Sequence, residues 1–414
     1  MQLCVFAQRQ ETAERELDEA LGHYELQYEG LVTSRGLTLP DSAARRVSRE
    51  QIAAALENYP PHTALLFYAY RDGRLQSWLL DAEGIRAYEQ ARLERAALSS
   101  AIAGLRDSLG VRALQSARAP RLLEQEEPAR TASAHRLPLT ESVRRLTKLL
   151  LPQAVAQRLT GVRHLIIVPA LDIGTVPFAL LKPFRDDSYL IDALSISIAP
   201  SLSDVVREIE QWQPEFHSAL VVGDPYFAKN PKWRVPPLPG ALDEARFVSQ
   251  AVGASPLTGR KATKQLVLEQ AGAADFLYFA THGVASVDDP LSGGFLILSA
   301  DKFERGWWTA REIQASELKA RLAVLSACQT GLGQAQDAGV VGLARAFQLA
   351  GVPRVAMSLW SVDDRATAEL MKLFIARLTE HVPSEALRLA MLEMKSRQTD
   401  PAKWSSFVLF GTPR

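Results

Sequence analysis

Two predicted strand ends carry the side chains best suited to chemistry. The segment "DFLYFATHGVAS" ends a strand at Ala280 and delivers His282, which Gly283 follows. The segment "LAVLSACQTGLG" ends another strand at Ser326 and delivers Cys328, 46 residues after the histidine. This interval fits one strand, its loops and a second strand. We therefore expect the two side chains to lie side by side at one edge of a sheet.

A cysteine beside a histidine is suited to nucleophilic attack on a carbonyl carbon. A thiol at neutral pH is only slightly ionised, and a neighbouring imidazole can polarise it and then protonate the leaving amine. The backbone N–H groups of Gly283 and Cys328 are candidates to stabilise a developing oxyanion. The glycines that follow the cysteine, among them Gly331, Gly333 and Gly339, leave the loop free to shape a cleft.

Each residue taken alone also has a structural interpretation. Cysteine is among the most buried residue types and is usually inert, and a lone histidine is most often structural. Cys4, the other cysteine, lies near the N-terminus without a glycine beside it. Because Cys328 and His282 follow two strands and both have glycine nearby, the pair favours a catalytic role.

The second half of the chain alternates short apolar strands with helices. This pattern is typical of an α/β fold with a mostly parallel sheet covered by helices on both faces. Strands are predicted at "ALVVGDP", "DFLYFA", "GFLILS", "LAVLSA", "RVAMSLW" and "FVLFG". In such sheets, functional loops gather at the carboxyl ends of strands, which is where the cysteine and the histidine fall.

The first half reads as a separate region with its own helices and strands. Helices are predicted over residues 10–30, after Ser48 as an N-cap with Gln51, from Arg86 to Leu109, after Thr140 as an N-cap, and over "SLSDVVREIEQW". A hairpin is predicted around Asp72-Gly73, and residues 111–138 are predicted to form a loop. The composition changes near residues 211–218, so we predict two domains, 1–212 and 213–414.

Composition and charge limit the classes of protein to which the chain can belong. The 414 residues carry 47 basic and 47 acidic side chains, and 47% of them are apolar. No net charge therefore draws the chain to nucleic acid or to a membrane surface. The N-terminus lacks a basic region and a cleavage site, so no signal peptide is predicted. Two distant cysteines favour a reducing compartment, and we predict the cytoplasm.

Signatures of other enzyme classes are missing from the sequence. The glycine-rich run "GLGQAQDAG" lacks the Lys-Ser/Thr ending of a phosphate-binding loop. No Gly-x-Ser-x-Gly elbow is present, and no His, Cys and Asp residues have the spacing of a zinc site. We predict neither a cofactor nor a metal.

The two strand-end motifs, "FATHG" and "LSACQTG", resemble those of the CHAT proteases, caspase-like cysteine peptidases related to separase. Further segments resemble CHAT blocks in the same order, including "HLIIVPALDIGTVPFALL", "LPGALDEARFV" and "WSSFVLFGTP". In a true caspase, Gln would stand at Ser326 and the glycine would come one residue earlier than Gly331. The resemblance implies a caspase-like sheet flanked by helices and preceded by a non-catalytic, pseudo-protease-like α/β half. It also implies a dyad of Cys328 as nucleophile and His282 as general base and then acid.

The resemblance also implies where a substrate binds. An extended peptide would lie beside "VAMSLWSVDD", with Ser358 and Trp360 in its binding site, and Asp364 with Asp363 would face a basic side chain at the P1 position before the cleaved bond. Trp360 is equally well read as a core residue, and either aspartate as the cap of the helix that follows. Asp224 in "VVGDPY" is a further acid for this pocket, or forms an Asx turn into the next residue.

The function predicted from these features is that of a regulated cysteine endopeptidase that cleaves a specific partner protein. CHAT proteins often carry TPR-type sensor repeats or act in bacterial defence and cell death on a partner such as a gasdermin. The resemblance thus implies a protein substrate and a sensor or activator, with no direct contact to nucleic acid or membrane. The alternative is a catalytically silent CHAT module used for protein interaction.

Overall fold

The computed structural model describes residues 10–24, 26, 47–111, 137–227, 238–284, 294–300, 305–326, 334–336, 339–360 and 364–413. The described helices are α1 (10–24), α2 (Arg49–Glu57), α3 (Arg95–Leu109), α4 (Leu139–Leu150), α5 (Gln153–Arg158), α6 (Leu190–Ala193), α7 (Leu202–Val206), α8 (Pro239–Ala251), α9 (Lys264–Ala271), α10 (Ala310–Gln314), α11 (Leu343–Leu349), α12 (Asp364–Arg377), α13 (Pro383–Arg397) and α14 (Pro401–Trp404). The described strands are β1 (Thr63–Arg71), β2 (Arg74–Asp81), β3 (Gly84–Arg92), β4 (His164–Val168), β5 (Ser195–Ile198), β6 (Ala219–Pro225), β7 (Leu257–Gly259), β8 (Phe276–Ala280), β9 (Gly283–Val284), β10 (Phe295–Ile297), β11 (Trp307–Thr309), β12 (Leu322–Ser326), β13 (Gln334–Gln336), β14 (Gly339–Val341), β15 (Val355–Ser358) and β16 (Phe407–Phe410).

One large sheet runs through the molecule. Its eleven strands lie in the order β3-β2-β1-β4-β5-β16-β15-β12-β8-β6-β7. The four neighbours β1, β4, β5 and β16 are parallel to one another. The five neighbours β15, β12, β8, β6 and β7 are also parallel to one another. Among the described pairs of this large sheet, antiparallel pairing is confined to the β1-β2-β3 edge and to the junction of β15 with β16. The predicted α/β class with a mostly parallel sheet is therefore confirmed.

Burial on both faces explains why the residues of β8 and the first four residues of β12 are apolar. The side chains of β8 and β12 alternate between two cores, since successive residues of a strand point to opposite faces. Leu277 and Phe279 of β8 belong to one core, to which α1, α2, α7, α9, α10 and α11 contribute. Phe276 and Tyr278 belong to the other, to which α3, α4, α8, α12 and α13 contribute. This layering holds the strand ends at the edge where functional loops gather.

Several local predictions are confirmed by the backbone. Ser48 caps α2 in a capping box with Gln51, and the hairpin turns at Asp72-Gly73, where Arg71 faces Arg74. The predicted strand "GFLILS" forms as β10, but it belongs to a separate three-stranded sheet with β9 and β11. Most of the predicted loop at 111–138 lies outside the described residues.

Three helix predictions are wrong at their boundaries. Residues from Arg86 form β3 rather than a helix, because they complete a hairpin in which Trp78 faces and stacks on Tyr88. The helix predicted over "SLSDVVREIEQW" ends at Val206. Thr140 is not the cap of α4, which begins one residue earlier, directly after Pro138.

The two predicted domains share the large sheet. Strand β16, near the C-terminus, pairs with both β15 and β5, and the Gly411 N–H donates to the Ile198 carbonyl at 2.8 Å. A buried ion pair joins Arg345 of α11 to Asp204 of α7, with N–O distances of 3.0 and 2.8 Å. The boundary at residue 212 remains a prediction. Within the described ranges, no helix is both long and apolar enough to cross a bilayer.

Candidate active site

The register of two central strands determines where the predicted dyad leaves the sheet. Strands β8 and β12 are parallel neighbours, and their last residues, Ala280 and Ser326, are paired. His282 follows the end of β8 by two residues, and Cys328 follows the end of β12 by the same number. The segments that follow β8 and β12 therefore start from the same edge of the sheet. Cys328 itself lies outside the described residues, so the contact between its thiol and the imidazole is not described.

The backbone around His282 is held by the small three-stranded sheet. The His282 carbonyl accepts a hydrogen bond from the Ile297 N–H at 2.9 Å, and the Thr281 hydroxyl donates to the Ile297 carbonyl. Gly283 begins β9 and faces Leu296 of β10. This pairing explains why β10 leaves the large sheet, since it supports the histidine segment instead.

An aromatic ring packs against the imidazole. The ring centroids of Phe227 and His282 lie 5.2 Å apart, with an angle of 58° between their planes. Phe227 follows β6, which is the neighbour of β8 in the sheet. The contact restricts the orientation of the imidazole and lowers the polarity on one side of it.

Asp224 lies at the same edge, at the end of β6. Gly223 is paired with Ala280, so Asp224 is one residue beyond the level at which β8 ends. Its backbone is in the left-handed region with φ of 45°. Burial raises the pKa of the Asp224 carboxyl and the nearby charge of Asp364 raises it too, whereas a backbone hydrogen bond at Leu238 and the charge of His282 act in the opposite direction.

Asp364 is the first residue of α12 and interacts with a different helix. Its carboxylate accepts a hydrogen bond from the Gly240 N–H, in the first turn of α8, at 2.5 Å. A Cβ atom at Gly240 would lie 2.6 Å from that carboxylate oxygen, so this approach depends on glycine. The carboxylate therefore stabilises the N-terminus of α8, and the interpretation that Asp364 or Asp363 caps α12 stays a prediction. Asp363, the other predicted acid, lies outside the described residues.

A small cavity opens among these elements. Its lining comes from α8, from the ends of β8, β12 and β15, from α12 and from the start of β16. It consists of Leu238, Ala241, Glu244, Thr281, Ser326, Ser358, Trp360, Asp364, Thr367 and Phe407. The structure thus brings together three of the predicted substrate-binding residues, Ser358, Trp360 and Asp364. Asp224 is outside the lining, although its charge interacts with that of Asp364.

Trp360 combines the two roles that the sequence left open. Its side chain is buried in the core, and its indole N–H donates to the Ala402 carbonyl at 3.0 Å. It also contributes to the wall of the cavity. A rigid, hydrogen-bonded tryptophan gives this wall a fixed shape.

Of the two ionisable residues that line the cavity, the sequence analysis missed Glu244. This carboxyl is only 1% exposed and accepts a hydrogen bond from the Tyr278 hydroxyl at 2.7 Å. Burial raises its pKa from 4.5 to about 7; hydrogen bonding from Ser326 and Tyr278 lowers the pKa, as does Lys372, and Asp364 raises it. Helical spacing in the sequence could have indicated that Glu244 is buried, because it falls in the apolar stripe of α8 with Ala241 and Val248.

In the part of the chain that the structure describes, no three His, Cys, Asp or Glu residues are grouped so that they could hold a metal ion.

Comparison with known proteins identifies the fold and then the family. Over 92% of its length the chain is similar to a Saccharomyces cerevisiae separase–securin complex structure, with a TM-score of 0.52 and 12% identity, and it covers 33% of the matched chain. This likeness places the chain among proteins of caspase-like fold. The CHAT domain model matches residues 140–412, so the chain belongs to the CHAT domain family.

Two curated relatives are tetratricopeptide repeat protein 28 from Homo sapiens and from Mus musculus. Each is 28% identical in an alignment of 295 positions, and the alignment covers 60% of this chain. The chain spans only 12% of the length of either relative.

The raised pKa of Glu244 predicts how stability depends on pH. A carboxyl whose folded pKa is raised favours folding while it is protonated, and this advantage is lost as pH rises from 4.5 through about 7. Ionising it in the folded chain costs up to about 3 kcal/mol. We compare the free energy of unfolding of Glu244→Gln with that of the native chain, measured by urea unfolding. We expect the difference to shift in favour of the variant by about 2–3 kcal/mol from pH 5 to pH 8.

The exposed Glu57→Gln variant is the matched control and should show no such pH-dependent gain. A difference between native chain and Glu244→Gln that stays constant from pH 5 to pH 8 would contradict the raised pKa.

Proposed function

We propose that this protein is a cysteine endopeptidase with Cys328 as nucleophile and His282 as general base and acid. The observation that carries the proposal is the paired ending of β8 and β12. The residues that follow both strands start from one edge of the sheet, next to a cavity with two carboxyl groups. The CHAT family and the caspase-like fold support the same class of reaction.

The proposed reaction uses groups of this chain alone. The imidazole of His282 accepts the thiol proton, and the sulfur attacks the carbonyl carbon of the substrate. The N–H groups of Gly283 and Cys328 stabilise the oxyanion that forms. The imidazolium then protonates the leaving amine, and water hydrolyses the thioester in a second, similar cycle. Phe227 holds the imidazole in orientation during both cycles.

The cavity beside the dyad is proposed as the pocket for the P1 side chain. Its acids favour a basic residue, and Asp364, which is partly exposed, is placed to pair with the incoming charge. Asp224 adds negative charge nearby, and Asp363 precedes Asp364 in the chain. An extended substrate segment beside the end of β15 would pass Ser358 and Trp360 before its side chain enters the pocket.

The biological setting is proposed from the family. We propose that the chain acts in the cytoplasm on a specific protein such as a gasdermin-like target, within a bacterial defence or cell-death system. The curated relatives are named for tetratricopeptide repeats, which supports a TPR-type partner as sensor or activator. A silent interaction module is the competing function, and the following experiment separates the two.

Replacing the proposed nucleophile tests the activity directly. We expect Cys328→Ala to lower kcat/KM toward a peptide library by at least about a thousandfold, because the attacking sulfur is gone. Cys4→Ala is the matched control and should keep full activity. Far-UV circular dichroism and the thermal midpoint should be unchanged in both variants. Cleavage by Cys328→Ala at the native rate would refute the assignment, and a folded native chain without activity under any condition would favour the silent module.

Replacing the partly exposed acid tests the pocket. The Asp364→Asn variant keeps an oxygen that can accept from the Gly240 N–H but loses the charge. We expect kcat/KM for peptides with P1 arginine to fall by about 30-fold, with little change for P1 norleucine. Parallel losses for both peptides would show that Asp364 supports the fold rather than recognition.

A further inference from the structure

The nucleophile segment, which runs from Ser326 to Arg345 and contains Cys328, forms a hairpin beyond the cysteine. Strand β13 pairs antiparallel with β14, so that Gln334 faces Val341. The two strands form a sheet of their own, apart from the large sheet. A two-stranded hairpin is at best marginally stable in water. With three residues in each strand, this hairpin therefore needs support from its surroundings.

A turn in the first half of the chain lies against this hairpin. Both strands of the hairpin contact the 3₁₀ turn Asp172–Thr175, which comes after β4. Leu171, the residue before the turn, has a φ of 53°, a left-handed conformation that is unfavourable for leucine, and its side chain is buried. A strained backbone persists only where its surroundings fix it, so the turn is held in a defined position.

Helix α3 holds the same turn at two points. The Ser99 hydroxyl donates a hydrogen bond to the Asp172 carboxylate, and Arg106 donates to the Thr175 carbonyl at 3.3 Å. Ser99 and Arg106 are about two helical turns apart, so they lie on one face of α3. The Thr175 hydroxyl donates to the Asp172 carbonyl at 2.7 Å and closes the turn. The turn thus connects α3 to the hairpin.

The two ends of the nucleophile segment are fixed by other contacts. Ser326 is paired with Ala280 in the large sheet. Arg345 of α11 forms the buried ion pair with Asp204 of α7. The segment is therefore fixed at both ends, and the turn supports the hairpin that lies between them.

We propose that Asp172 is a positioning residue: together with Ser99 it holds the turn on which the β13–β14 hairpin rests, and the hairpin in turn places the nucleophile segment for attack. This inference rests on the proposed function and adds to it a contribution from the first half of the chain. Asp172 acts through the hairpin rather than on the substrate. Its loss should therefore lower kcat rather than weaken substrate binding.

Amide hydrogen exchange of residues 334–341 tests this support without relying on catalysis. We expect Ser99→Ala and Asp172→Ala to speed the exchange at least about tenfold, measured by mass spectrometry, because the hairpin loses its support. Ser100→Ala removes an exposed hydroxyl from the next position of α3 and is the matched control, which should leave the exchange unchanged. Asp172→Asn keeps an oxygen that can accept from Ser99 and should restore most of the protection.

Steady-state kinetics on a peptide substrate test the consequence for the reaction. We expect both alanine variants to lower kcat by about 10- to 100-fold and to change KM less than about twofold, since a small displacement of reacting groups costs rate rather than binding. Asp172→Asn should recover most of kcat, and Ser100→Ala should keep all of it. Far-UV circular dichroism checks that each variant is folded. If Asp172→Ala does not fold, Ser99→Ala decides the test, because it removes only an exposed hydroxyl.

The two measurements also separate this inference from the proposed function. Unchanged exchange in the alanine variants, or equal effects of Ser99→Ala and Ser100→Ala, would overturn the inference. If exchange depends on Asp172 but the native chain cleaves no peptide, the turn supports the hairpin and the endopeptidase assignment fails. If the native chain cleaves peptides and the alanine variants keep the native kcat, the endopeptidase stands and this inference fails.

Discussion

The parallel pairing of β8 with β12 is the constraint on which the site depends. The two strands are buried at every position, and Ala280 faces Ser326 at their ends. A slip of one residue would exchange the side chains of the two cores, moving Tyr278 from the core beside α8 to the opposite one. The hydrophobic cores therefore determine the register, and the register determines where the histidine and cysteine segments begin.

The same edge gathers acids that are stabilised in different ways. Asp364 receives a backbone N–H from the start of α8, whereas Glu244 is buried and receives hydroxyl hydrogen bonds. Burial favours the neutral form of an acid, and it raises the pKa of Glu244 to about 7. One cavity thus holds two carboxyl groups in different surroundings, a partly exposed one that accepts from a backbone N–H and a buried one that accepts from a hydroxyl group.

The central sheet and the edge position of His282 were predictable, because continuous apolar runs between helices indicate buried parallel strands. The β3 strand was not, because its charged residues Arg86 and Glu89 lie on an exposed edge and give no strand alternation. The acceptor role of Asp364 was also hidden, since its partner Gly240 is 124 residues away. Glu244 was visible as an acid within an apolar helical stripe, but only the fold reveals which cavity it faces.

The most direct test of the central claim is to locate the residue that reacts with an arginyl electrophile. The native chain is incubated with a peptidyl-arginine acyloxymethyl ketone, and the adduct is mapped by peptide mass spectrometry. The paired strand ends predict a single adduct on Cys328, which is lost in a folded His282→Gln variant because the thiol is no longer activated. Absence of the adduct from Cys328 in folded protein, or equal labelling of Cys4, would contradict the account.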